Sequence, residues 1–136
     1  VFGNIAIGSN GTTWDKVMGD EKTPKGTFHI SEIRPSQKFS LFMAIDYPNR
    51  DHTMRAWMND RIPEEEFLLL KGALDNGKPV PQTTTLGGYL GIHGLGNGST
   101  EIHQIMNWTD GCVALTNEEV QELANIVKVG TAVVIR

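Results

Sequence analysis

The chain has 136 residues, 39% of them apolar and 21% charged, with a net charge of −4 at neutral pH, which suits one domain over residues 1–136 that buries roughly two thirds of its unfolded surface. The charges form no long run and no Lys/Arg cluster interleaved with aromatics, so neither a disordered tail nor a nucleic-acid partner is expected. No apolar run approaches the ~18 residues that span a bilayer, and a single cysteine, Cys112, excludes an internal disulfide, a Cys-paired zinc finger and a CxxC redox centre.

The chain begins at Val1 rather than Met, which reads as a processed or trimmed product with a signal peptide or anchor expected upstream. Ile5 and Ile7 alternate as in a strand. A Gly-, Lys- and Asp-rich loop follows over residues 8–26, punctuated by Pro24 and Gly26, in which Thr23-Pro24-Lys25-Gly26 reads as a turn. Two strands come next. In the first, TFHISEI, Phe28, Ile30 and Glu32 share one face and His29, Ser31 and Ile33 the other; in the second, FSLFMAIDY, Leu41, Met43 and Ile45 recur in period two up to a Tyr47-Pro48-Asn49 turn. His29 and His52 are assigned surface or packing roles.

Ile62-Pro63 followed by Glu64, Glu65 and Glu66 marks a helix start, because proline is tolerated in the first turn and carboxylates favour the positive end of the helix dipole. Phe67, Leu70 and Leu74 form its stripe, and it should stop near Asn76-Gly77. Extended structure resumes in LGGYLGIHG, glycine-rich where a backbone or ligand approaches closely. Thr116-x-x-Glu119 is a capping-box pattern, followed by Val120, Leu123, Ala124 and Val127 at helical spacing, a stop at Gly130 and a terminal strand TAVVIR. The whole is a mainly β domain with two helices.

Cys112 lies in a Thr-Asp-Gly-Cys turn just ahead of that last helix, with His93 upstream between Ile92 and Gly94. Acyl transfer uses the thiolate, which at an ordinary thiol pKa needs a neighbouring imidazole or an electropositive helix start. On residue types alone, Cys112 reads equally as a small core residue and as a nucleophile. His93 likewise reads as a structural histidine or a base.

Several spaced segments, Gly19-Asp-Glu-Lys-Thr-Pro-Lys-Gly-Thr-Phe, Ile45-Asp-Tyr-Pro-Asn, Ile92-His-Gly and Trp108-Thr-Asp-Gly-Cys-Val-Ala-Leu-Thr, resemble, in order, those of the L,D-transpeptidase catalytic domain, the YkuD-type family. In particular, they resemble its envelope members with a Trp-Thr-x-Gly-Cys motif. The resemblance covers the chain from about Gly19 to its end. It implies a mixed β-sandwich or partly open barrel, with Cys112 as nucleophile, His93 as base, Gly111 shaping the turn and Gly94 supplying the carbonyl that orients the imidazole. Backbone amides near Cys112 would form the oxyanion hole.

His103 is a rival base or a group binding a substrate carboxylate, and Trp108, Thr109 and Asp110 are the other candidates for substrate contact. The family often has a His where this chain has Asp110 and an Asn or Arg where it has Ala114, so contacts made through those side chains differ here. The activity implied is cell-wall acyl transfer: Cys112 attacks the carbonyl at the L-centre of the third residue of a peptidoglycan stem peptide and releases D-alanine. The thioester then passes to an amine of a second stem peptide, giving a 3-3 crosslink, or to a wall-attached protein. Water as acceptor would make the same site an L,D-carboxypeptidase or hydrolase. A non-catalytic peptidoglycan-binding domain is a third reading. The resemblance further implies the bacterial periplasm, inhibition by carbapenems, a monomer, and neither cofactor nor metal.

Overall fold

The computed structural model describes residues 5–36, 40–96 and 109–136. Two short parallel strands, β1 (Thr12–Thr13) and β2 (Thr23–Pro24), form a small sheet. The remaining strands are β3 (Gly26–Ser36), β4 (Ser40–Ile45), β5 (Gly91–His93), β6 (Val113–Ala114) and β7 (Ala132–Ile135), joined in a curled open sheet of order β6-β5-β4-β3-β7. Only β5 and β6 run parallel in that sheet. The described residues thus give the mainly β architecture expected from the sequence, with three helices.

Helix α1 (Arg50–Met58) has no counterpart in the sequence reading. Its start lies in the Pro48-Asn49 turn, where the Asn49 carboxamide oxygen accepts the His52 amide at 2.9 Å. Helix α2 (Glu64–Asp75) begins after Pro63, carries its three carboxylates in the first turn, and buries Phe67 and Leu70. It is capped by Asn76 and followed by Gly77 at positive φ. In α3 (Asn117–Ala124) the reciprocal Thr116/Glu119 capping box forms. The helix ends earlier than the stripe suggests, at Asn125, and Gly130 turns the chain into β7.

Two apolar clusters hold these elements together. Phe28, Tyr47, Ala56, Phe67, Leu70 and Leu86 lie in one, under α1 and α2; Ile30, Met43, Ile92, Leu115 and Val120 lie in the other, under α3. Full burial of each of the larger side chains among them is worth about 2 kcal/mol. His52 packs against the first cluster, its ring stacked with Trp14 and with Phe28 and its Nε2 2.6 Å from the Lys25 carbonyl oxygen. Burial lowers its pKa. His29 is on the surface beside Asp46. Both histidines occupy the packing and surface positions assigned to them.

The N-terminal region departs from the simple reading. In place of a strand through Ile5 and Ile7 there are two isolated bridges, Ala6 to Ala114 and Gly8 to Thr109. Thr23-Pro24 is a strand rather than part of a turn, because Thr23 and Lys25 donate their amides to the Gly11 and Thr13 carbonyls. Glu32 does not continue the buried face of Phe28 and Ile30. A register shift between Ile30 and Glu32 reverses the alternation, so Ile33 packs against the Ile30 cluster while Glu32 is exposed.

Candidate active site

The parallel register pairs Ile92 with Val113 and His93 with Ala114. One step earlier, Cys112 therefore stands beside Gly91, with His93 two residues along the neighbouring strand. A diagonal offset of this kind separates Cα atoms by about 8 Å, a span that an imidazole and a thiol reaching toward each other can cross. Gly91 is demanded here, since a Cβ would run into the Met43 carbonyl and fall 2.8 Å from Cζ of Phe42.

The turn before β6 is clamped from two sides. The Thr109 hydroxyl donates to the Cys112 carbonyl at 2.6 Å and accepts the Gly111 amide at 3.2 Å. The backbone of Thr109 and Ala114 is bonded to the N-terminal segment through Ile7, Ser9 and Ala6. Thr109 is thus buried under the turn, whereas the Asp110 side chain is exposed. Gly111 has φ +145°, and a Cβ on it would lie 2.9 Å from the Lys22 carbonyl oxygen and 3.0 Å from Lys16 Nζ. Gly111→Ala is accordingly expected to cost about 2 kcal/mol, a Tm loss of several degrees, because backbone strain and backbone crowding act together. Calorimetry checks this, and a variant as stable as the parent would contradict it.

Lys16 is 3% exposed and sits beneath that turn, its Nζ 2.8 Å from Asp20 Oδ1. Asp20 also accepts the amides of Val17 at 3.0 Å and Lys22 at 2.9 Å, which orders the loop around the ammonium. Nothing in the sequence singles out Lys16, since a lysine in a polar loop ordinarily faces solvent.

His93 is 2% exposed. Its Nδ1 lies 2.7 Å from the Gly94 carbonyl oxygen, a partner that only accepts, so the proton resides on Nδ1 and Nε2 carries the lone pair. Phe42 stacks on the ring at 6.3 Å between centroids and 14° between planes. Phe42 was passed over in the sequence because it lies on the opposite face from the Leu41, Met43 and Ile45 repeat.

Cys112 is half-buried and packs against the Phe28 cluster, with its sulfur 3.7 Å from the Tyr89 carbonyl oxygen. Burial pushes the thiol pKa up. The Gly91 amide and the Lys16 ammonium work the other way, and Asp110 adds to the rise. Tyr89 is itself held at φ +57°, its amide donating to Gln82 Oε1 at 2.7 Å and its side chain 70% exposed. Beside it opens a groove of about 780 Å³ along β3 and β4, walled on the far side by residues 77–80. His103 and Trp108 lie outside the described residues, and no group of three or more metal-binding side chains occurs among those described.

The arrangement sets a thiol and an oriented imidazole on one face of the sheet, and Tyr89, whose carbonyl meets the sulfur, also lines the groove. The family model described as L,D-transpeptidase catalytic domain matches residues 2–135. Among solved structures, the helical cell shape determining protein Pgp2 from Campylobacter jejuni is similar at 25% identity, with a TM-score of 0.57 over 96% of this chain and 36% of that one. Bd1075 of Bdellovibrio bacteriovorus is similar at 18% identity, with a TM-score of 0.56 over 97% of this chain and 37% of that one. The chain therefore spans little more than a third of the length of either. No curated protein matches it.

Proposed function

Since the chain belongs to the L,D-transpeptidase catalytic-domain family, we propose that it is a peptidoglycan L,D-transpeptidase that works through a thioester on Cys112. The observation that carries this reading is the β5–β6 register, which sets Cys112 beside Gly91 and so on the sheet face of His93, whose Nδ1 lies 2.7 Å from the Gly94 carbonyl oxygen. The cell-shape role of the Pgp2 structure fits a wall substrate.

In the first half-reaction Nε2 of His93 takes the thiol proton as Sγ attacks the carbonyl carbon at the L-centre of the third stem residue. Backbone amides near Cys112, other than the Gly111 amide that Thr109 already engages, hold the developing oxyanion, a contribution worth about 3 kcal/mol per donor. The imidazolium then protonates the leaving D-alanine amine as the C–N bond breaks, giving a thioester. In the second half-reaction the amine of an acceptor stem peptide loses a proton to His93, attacks the thioester carbon and expels the Cys112 thiolate. Envelope residence, in the periplasm, goes with this substrate.

The Gly91 amide and Lys16 act against the rise in thiol pKa that burial causes, and His93 is the base that removes the proton as the sulfur attacks. Incubation with purified disaccharide-tetrapeptide followed by mass spectrometry tests the reading. Dimers joined 3-3 are expected; tripeptide alone would move the assignment to an L,D-carboxypeptidase, and unchanged substrate would overturn it.

A further inference from the structure

The groove beside the thiol has a charged end that the acyl transfer itself does not use. Register places Arg34 opposite Phe42 and Phe42 opposite His93, while Glu32 lies opposite Ala44 and Ala44 opposite Gly91. Residues directly opposite one another share a face of the sheet. Two parallel rows therefore run from the site across β4 to β3, one ending in Arg34 and the other in Glu32. Both end about two strand spacings, or about 10 Å, from β5.

The register shift between Ile30 and Glu32 is what turns these two side chains toward the site. Without it, strand alternation would keep Glu32 on the face of Phe28 and Ile30. Bulges commonly re-aim a side chain beside a binding site. Here the consequence is a pair standing over a floor of Phe42 and Ala44. The Arg34 guanidinium carbon lies 5.0 Å above the Phe42 ring centroid, and Arg34 Nη1 is 3.3 Å from Glu32 Oε2. Both side chains are 55% exposed, so most of their hydrogen-bonding capacity opens into the groove. Lys78 and Asp46 also line it, which balances its charge at two cations and two carboxylates.

A balanced pair of this kind matches a zwitterion better than a simple anion or cation. Given the stem-peptide reading above, on which this inference rests, we propose that Arg34 and Glu32 bind the free α-amino acid group at the far end of the donor's diamino-acid side chain. Arg34 takes its carboxylate and Glu32 its ammonium. The guanidinium presents two parallel N–H donors to a carboxylate, while the apolar floor accommodates the methylenes of the arm. A donor whose L-centre carbonyl lies at Cys112 directs that arm along the strand rows. A lysine arm would bring only an ammonium, leaving Arg34 without its partner.

Steady-state turnover of two disaccharide-tetrapeptides tests this, one with diaminopimelate and one with lysine as third residue, using the parent protein, Arg34→Met and Glu32→Gln. The exposure of both residues makes loss of the fold unexpected, and circular dichroism checks it. Arg34→Met is expected to raise KM for the diaminopimelate stem about tenfold, as loss of a charge-assisted hydrogen bond does. Its kcat on that stem and its KM for the lysine stem should stay within about twofold. Glu32→Gln should raise KM for both stems, since both carry the ammonium. Equal KM changes on the two stems in Arg34→Met, or no change on either, would overturn the assignment while leaving the acyl-transfer reading in place. A parent protein active on neither stem would overturn the reading of function and this inference with it.

Discussion

Replacing Cys112 with alanine is expected to abolish release of D-alanine from a stem tetrapeptide, by at least about 10³-fold, while the protein stays folded. The size follows from the chemistry. Cys112 is the chain's only thiol, so no second sulfur can form the thioester, and water attacking in its place has neither its nucleophilicity nor its position. The fold survives because the side chain is half-buried at the margin of the Phe28 cluster, where removal of one sulfur atom costs on the order of 1 kcal/mol. The turn keeps its shape through the Thr109 hydroxyl and the Ala6–Ala114 bridge, neither of which involves the sulfur. D-Alanine release measured alongside near-UV circular dichroism checks both halves, and turnover retained in the variant would sink the assignment.

His93→Ala is expected to lose about 10²- to 10⁴-fold, the range that general acid–base catalysis contributes. The imidazole is committed by the Gly94 carbonyl to present its lone pair at Nε2. Without it, the sulfur loses its proposed base and keeps its proton, because burial raises its pKa. The sign in pH follows. Where a raised pKa governs, the thiolate fraction is small at neutrality and grows about tenfold per pH unit until the pKa is reached. The residual rate of His93→Ala, and its alkylation by iodoacetamide, should therefore climb steeply on the alkaline side, whereas the parent protein should be active at neutrality. Urea denaturation should show a loss of about 2 kcal/mol, because the ring is buried against Phe42. His103→Ala is the control; if it proves inactive while His93→Ala works, the base is His103.

Much of the fold could be read from local rules because local interactions decide it. The Thr116/Glu119 capping box and the Pro63–Glu66 helix start both form, since each is settled within one turn of chain. The alternation of Leu41, Met43 and Ile45 likewise placed β4. What could not be read depends on pairing between distant segments. The bulge that reverses Glu32 and Arg34 arises from the match of β3 to β4 and leaves no trace in the composition of β3. Lys16 looks like a solvated loop residue until Asp20 and the Gly111 turn close around it. Helix α1 has few apolar residues at helical spacing, and its start is hidden in a turn signal that Asn49 serves equally well as a cap.

The site divides in the same way. Cys112, His93 and their glycines stood out through spaced segments resembling a family, and the family match covers nearly the whole chain. Phe42 and Tyr89 carry no such mark. Their importance comes from geometry alone: Phe42 stacks on the imidazole from the adjoining strand, and the Tyr89 carbonyl faces the sulfur from a loop held by Gln82.

The most direct test of the central claim is a single-turnover reaction with disaccharide-tetrapeptide, acid-quenched over a range of times and followed by peptide mapping in the mass spectrometer. The account predicts a thioester adduct on Cys112, of the mass of the substrate less D-alanine, that rises with the first D-alanine released and is absent from Cys112→Ala. D-Alanine released while Cys112 stays unmodified at every time, or an adduct on another residue, would contradict it.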